Sequence, residues 1–254
     1  MCMFSGRVER VSGTSIYARS APDGRQVLVY EMSVAAREPV AMVLPLPVPV
    51  GTDAGAVRFI NLERAPAFFA RMRAGFVVPT RSFAAPQGLA FAMLAVHDVG
   101  AFEASFVPRV ADFARLDPRF RLPQQAWDAL PAYADWGFAV FKLKTVSSEP
   151  RPVHPMAFEF PRRDPTRLFF PTVHVHDGEV HPRAGFDHAL YCQTPAVLSD
   201  AVWTRSEGEA RLFMEEPAFA LGLVDPAASC FERKLAGTLP NEDTWAGDAA
   251  ATLR

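Results

Sequence analysis

Alternating apolar and polar positions, broken by turn residues, run through the first fifth of the chain. Ser15 to Ala21 and Gln26 to Ala36 are rich in β-branched and aromatic residues, and Pro22-Asp23-Gly24-Arg25 between them has turn chemistry. The pair predicts a β-hairpin. Val40 to Leu46 predicts a third strand, running into Leu44-Pro45-Leu46-Pro47-Val48-Pro49. Alternate prolines there remove every second ladder donor and impose an extended, edge or non-sheet path.

The period then changes. From Pro66 to Phe76, a first-turn proline, Phe68, Phe69, Met72 and Phe76 at three-and-four spacing, and Gly75 near the end predict a helix. Leu89 to Val96 is an apolar run of buried-strand length, Asp117 to Pro123 a loop, and Gln124 to Tyr133 a short helix that Pro131 ends or kinks. Further strands are expected over Gly137 to Leu143, Met156 to Phe160, Leu168 to His176, Phe186 to Cys192 and Cys230 to Leu235, with a helical turn over Pro217 to Val224. Strands in runs, without long helices between them, predict an α+β protein with a mainly antiparallel sheet system and a few short helices. Residues 1–240 read as one α+β domain, with two sub-domains meeting near 100–120 as the alternative. The acidic, Ala- and Gly-rich stretch 241–254 reads as a loosely ordered tail.

With 254 residues, half of them hydrophobic, the chain is able to bury a substantial core. A net charge of -2 and a pI near 6.3, with no basic stripe interleaved with aromatics, predict no nucleic-acid partner. The first residues, Met-Cys-Met-Phe-Ser-Gly-Arg, lack a basic leader and an apolar core, and no apolar run has spanning length; a soluble, cytoplasmic protein with no membrane partner is expected. Cys2, Cys192 and Cys230 are too few and scattered for a disulfide framework, which leaves them as ligands, a nucleophile or core filler.

Val27-Leu28-Val29-Tyr30-Glu31-Met32, Val43-Leu44-Pro45-Leu46-Pro47, and Tyr133-Ala134-Asp135-Trp136-Gly137-Phe138 before the strand with Lys142 and Lys144 resemble uncharacterised bacterial proteins grouped as a domain of unknown function. The resemblance covers the first two thirds of the chain, rests on strand and turn chemistry, and brings no activity and no functional residue.

The richest candidate chemistry is His174-Val175-His176-Asp177-Gly178-Glu179-Val180-His181. Asp-Gly is a preferred type I′ pair. A two-residue turn at Asp177-Gly178 sets His176 opposite Glu179, Val175 opposite Val180 and His174 opposite His181. With side chains alternating faces, the valines share one face while three imidazoles and a carboxylate share the other within cross-strand reach. His174, His176 and His181 are then metal ligands, and Glu179 a ligand, an orienting residue or a catalytic general base. Set against this is an edge hairpin whose polar face is simply solvated.

In the strand from Phe186 to Cys192, His188 and Cys192 share a face about 13 Å apart along an ideal strand, so both reach one ion only across a bend. Either adds a ligand if this strand pairs with the hairpin. The plainer readings are a satisfied histidine and core filler; His154 and His97 read as loop or strand-end residues. Cys2, exposed as an N-terminal residue after loss of Met1, offers a thiolate and an amine together, as a soft-metal chelate with Met3 or as a nucleophile. A packed first residue is the plain alternative. No Gly-rich phosphate loop, nucleophile elbow or His-Glu-x-x-His helix is present.

Three functions follow. A transition-metal-binding protein, in its catalytic form a copper- or zinc-dependent enzyme acting on a small molecule or peptide, leads, with copper favoured if Cys2 or Cys192 joins. An amidohydrolase using Cys2 is the second. A non-enzymatic binding or scaffold protein, its 21 Phe filling the core, is the third.

Overall fold

The computed structural model describes residues 3–21, 23–62, 65–76, 102–143, 149 and 151–247, with backbone alone for 102 and 151–154. In chain order the strands are β1 (Met3–Phe4), β2 (Arg10–Ser20), β3 (Arg25–Ala35), β4 (Ala41–Leu46), β5 (Arg58–Ile60), β6 (Phe102–Val107), β7 (Gly137–Leu143), β8 (Arg151–Pro161), β9 (Arg167–Phe170), β10 (Arg183–Gln193), β11 (Thr204–Glu209), β12 (Ser229–Pro240) and β13 (Thr244–Gly247). Short helices are α1 (Phe68–Ala74), α2 (Gln124–Asp128) and α3 (Glu216–Ala220). The chain is therefore β-rich.

A seven-stranded sheet runs β11-β12-β10-β2-β3-β8-β5, a four-stranded sheet β1-β4-β7-β6, and β13 pairs with β9. Pairing between named strands is antiparallel except for β2 against β10, where Ser15 lies opposite Ala189 and Arg19 opposite Gln193. The β2–β3 hairpin matches its turn signal. Ser20 lies opposite Gln26, and Gly24 sits at φ +81°, where only glycine is free of Cβ strain.

Period-two alternation divides the core into layers. Ile16, Leu28, Tyr30 and Phe158 point from the large sheet toward Met42, Leu44, Ala139 and Phe141 of the small one. On the outer face of the large sheet, Tyr17, Val27, Val29 and Tyr191 are covered by Phe68, Phe69 and Met72 of α1 and Ala218 of α3. Beyond the small sheet, Met3, Val43, Phe138 and Val140 pack under Phe113, Phe120, Trp127 and Tyr133. Pro45 is accommodated within β4 because β1 pairs only with Met42 and Val43, so that among the described residues no strand pairs with the far edge of β4 beside the proline.

Side-chain polar groups tie the small β9–β13 sheet to this body. Gln26, fully buried, donates through Nε2 to the Phe169 carbonyl at 2.7 Å and accepts the Phe169 N–H through Oε1 at 2.9 Å. One amide thus replaces a missing strand for Phe169. Asp243 accepts from the amides of Thr172 (2.9 Å) and Val173 (3.2 Å) and from the Tyr133 hydroxyl (2.5 Å).

Two expectations are corrected. The strand ending at His176 stops at Phe170. The stretch expected as a loose tail is held in place through Gly247: β13 pairs with β9, Trp245 packs on Phe169 with ring centres 4.9 Å apart, and Arg167 lies over the indole at 4.5 Å. Leu89 to Val96 and residues 248–254 lie outside the described residues.

Candidate functional site: a buried histidine stack

The Asp177-Gly178 segment does not fold into the expected hairpin. Residues 171–182 form an irregular connection between β9 and β10, bounded by Pro171 and Pro182, neither of which donates a ladder hydrogen bond. The segment pairs with the start of the chain instead of with itself. Val175 forms a parallel bridge with Met3, its carbonyl accepts the Phe4 N–H at 2.9 Å, and the His176 carbonyl accepts the Val8 N–H at 3.0 Å. Asn241 fastens both arms, accepting the His174 N–H at 2.7 Å and donating to the carbonyls of His174 (3.0 Å) and His181 (2.8 Å). Asp177 forms an Asx turn onto the Glu179 N–H at 3.1 Å.

His174 does not face His181, and the expected trio of His174, His176 and His181 is not assembled. His181 is exposed, with Nε2 2.9 Å from Asp177 Oδ2, and its hydrogen bond to that carboxylate raises its pKa. Glu179 is exposed, its backbone N–H held by Asp177. Val175 is buried in the layer beyond the small sheet and Val180 packs against it half-buried, although the hairpin register expected to put them on one face does not form.

The structure assembles a different trio. His188 of β10 joins His174 and His176. The His174 ring lies 5.2 Å from each of the other two, with interplanar angles of 13° to His176 and 15° to His188. Phe186 packs on His174 at 4.3 Å and on His188 at 5.1 Å, and Phe4 meets His176 edge-on at 5.8 Å. His174 Nε2 is 3.4 Å from His188 Nε2. His188 is 2% exposed and His174 5%.

Burial disfavours the charged imidazolium at all three positions. It holds His176 down at about 4 and His188 at about 3, and His174 well below its ordinary value. The stack is neutral at pH 7. His188 Nδ1 lies 3.2 Å from the Asp187 backbone nitrogen. Asp187 Oδ1 lies 3.6 Å from the same Nδ1, and Oδ2 accepts the Gly13 N–H at 2.8 Å. His176 Nε2 is buried without a hydrogen-bond partner among the described residues.

A cleft of about 410 Å³ opens beside the stack, reaching His174, His176, His181, Asp177, Glu9 and Asn241. Among the described residues no group of three His, Cys, Asp or Glu side chains is arranged to hold a metal ion. His188 and Cys192 do share the buried face of β10, but Cys192 is in the inter-sheet core, where burial raises its thiol pKa well above the usual value. The likewise buried Cys230 has its thiol pushed up to about 12, so neither is poised as a thiolate nucleophile. Cys2 and His97 lie outside the described residues. The role of His188 was legible only as a shared strand face, because its partner strand segment could not be read from local pattern.

Among the described residues, no helix is long and apolar enough to cross a membrane. No family model matches the chain, and no curated protein matches it. Solved structures that share its fold include two of baculovirus P35. The crystal structure of baculovirus P35 matches with a TM-score of 0.52 at 12% identity, over 97% of this chain and 99% of that one. A mutated baculovirus P35, solved after caspase cleavage, matches with a TM-score of 0.50 at 14% identity, over 93% of this chain and 99% of that one. At such identities the likeness is one of fold, and it extends over nearly the whole of both chains.

Proposed function

We propose that this chain is a binding protein that presents itself to a caspase-class cysteine protease, is cut after an aspartate, and keeps the protease occupied. The observation that carries the reading is the end-to-end likeness to a fold that has been captured after caspase cleavage. It is the third of the three functions that the sequence allowed, given a partner.

The anchoring of the chain supports it. Before residue 77, α1 is held on the outer face of the large sheet by Phe68, Phe69 and Met72; from residue 102, β6 pairs with β7 in the small sheet. A cut in the sequence between these two elements leaves α1 and β6 each packed in the folded body, so the fragments have no reason to separate. Proteases bind substrates in extended form, through a free side chain. Asp23, Asp53, Asp117, Asp164, Asp177 and Asp225 instead cap their own turns, Asp112 and Asp135 pair with arginines, Asp128 accepts from Gln124, Asp187 holds Gly13, and Asp243 holds Thr172. Asp200 sits in a tight turn in which the Ser199 carbonyl accepts from both Val202 and Trp203. Asp98, in the stretch between α1 and β6, and Asp248 are the other two aspartates, and both lie outside the described residues. In the sequence Asp98 is the one that lies between the two anchored elements α1 and β6.

The test is incubation with a panel of active caspases at matched micromolar concentrations, followed by intact-mass spectrometry and residual peptidase assay. The expected result is one cut after Asp98 with loss of protease activity in proportion to the added chain, both abolished by Asp98→Ala. An uncut chain with unchanged protease activity across the panel overturns the reading.

A further inference from the structure

The histidine stack has a geometry that the proteolytic reading does not use. A hydrogen bond between two ring nitrogens has a heavy-atom separation of ~2.7–3.2 Å, and the 3.4 Å between His174 Nε2 and His188 Nε2 exceeds it. Two imidazole nitrogens bound to one tetrahedral ion at ~2.0–2.1 Å are separated by about 3.3–3.4 Å, and their ring centres, each about 1.2 Å further out, by about 5.2 Å. Those are the spacings found, 3.4 Å and 5.2 Å, in rings within 15° of parallel.

We propose that His174 and His188 form the protein half of a site for a borderline-soft cation of the Zn(II) class, entered from the cleft, with His176 as the third ligand after its ring turns. His176 lies at the same centre-to-centre distance from His174 as His188 does, and its buried Nε2 is unpartnered among the described residues. An unsatisfied buried nitrogen costs free energy, which coordination removes. This set differs from the hairpin trio expected from the sequence, since His181 is exposed and tied to Asp177.

Proton bookkeeping assigns Asp187 a role. A neutral His188 that binds a cation through Nε2 carries its proton on Nδ1, the atom that faces Asp187 Oδ1 at 3.6 Å. A carboxylate behind a ligating histidine fixes its tautomer and orientation, and its loss weakens metal binding by about 10–100-fold. Asp187 is a positioning residue here, itself fixed by the Gly13 N–H at 2.8 Å.

The experiment uses the full chain purified without an affinity tag, stripped with a chelator and titrated with Zn(II), then with Co(II) as an optical probe. One ion per chain, a raised melting temperature and the intense visible bands of four-coordinate Co(II) are expected. His188→Phe should weaken binding by about a hundredfold or more, and Asp187→Asn by about 10–100-fold, while His181→Ala leaves affinity within about twofold of wild type. Imidazole NMR of the wild-type protein provides the readout that does not depend on a variant folding: resonances of His174 and His188 shift together with Zn(II), and those of His181 do not. Absence of uptake, undiminished binding in folded His188→Phe, or loss of binding in His181→Ala overturns the proposal. None of these outcomes bears on caspase cleavage, which is tested separately.

Discussion

Replacing Gln26 tests whether one buried amide holds the β9–β13 sheet to the body of the protein. Its two hydrogen bonds reach the N–H and C=O of Phe169, a fully buried residue. Gln26→Met keeps the volume and leaves both backbone groups unpaired. At ~1–3 kcal/mol for each orphaned buried group, the loss is about 4 kcal/mol. That is a large share of a typical stability of ~5–15 kcal/mol. Gln26→Glu gives a sharper test, because a protonated carboxyl donates and accepts as the amide does, whereas a carboxylate only accepts and faces the Phe169 carbonyl. Its folded pKa is thus raised above the unfolded ~4.3, so the stability it contributes is present below that value and lost as pH rises. Keeping it protonated at pH 7 costs about 1.36 kcal/mol for each of ~2.7 pH units, or about 4 kcal/mol. Urea unfolding followed by tryptophan fluorescence reads this region directly, since Trp245 and Trp136 lie 4.9 Å and 5.3 Å from the Phe169 ring. The expected pattern is Gln26→Met destabilised at every pH and Gln26→Glu near wild type at pH 4 but well below it at pH 7. If Gln26→Met stays within about 1 kcal/mol of wild type, or Gln26→Glu follows the wild-type pH profile, the clamp is not what joins the two sheets.

Two other anchors give independent expectations. Burial pushes the Asp243 carboxyl up to about 6 even though Tyr133, Thr172 and Val173 donate to it. Tyr133→Phe should raise that value further, read by carboxyl ¹³C NMR, and should cost about 2 kcal/mol at pH 7, where the carboxylate loses a donor, but less at pH 4. The sign is that of a raised acid: its contribution is largest below the unfolded ~3.9 and is lost as pH climbs through the folded value. Asn241→Ala removes the hydrogen bonds to His174 and His181 and should cost about 3 kcal/mol, with faster amide hydrogen exchange confined to residues 174–181. Exchange that rises uniformly over the whole chain would show that Asn241 supports global stability and not this segment.

Strands and turns specified by their own residues were legible in the sequence. The β2–β3 hairpin follows from Pro22-Asp23-Gly24-Arg25, β7 has the expected bounds, and α1, shorter than expected, buries Phe68, Phe69 and Met72 of the four apolar residues its spacing picked out. Non-local pairing was not legible. Asp-Gly chemistry favours a hairpin at residues 177–178, but Met3, Phe4 and Val8 claim the backbone of Val175 and His176, and Asn241 claims that of His174 and His181. A two-residue strand such as β1 has no periodicity to read. The acidic composition after Asn241 suggested loose chain because it gave no sign that Trp245 would pack between Phe169 and Arg167. His188 lay on the correct face of its strand, while its meeting with His174 depends on the path of the irregular segment that connects β9 to β10.

The parallel pairing of β2 with β10 governs when the protein is able to fold. Gly13 and Asp187, hydrogen-bonded in the finished structure, are 174 residues apart in the chain. As the chain leaves the ribosome, the β2–β3 hairpin is complete long before β10, and the edge of β2 waits for a partner that follows it by more than 160 residues. An unpaired strand edge is a template for the wrong partner, and distant pairings form slowly because loop closure precedes any gain. The nascent chain therefore passes its longest interval with Ile16 and Ala18, both destined for the inter-sheet core, beside an open edge. During that interval mispairing at the open edge of β2 competes with folding.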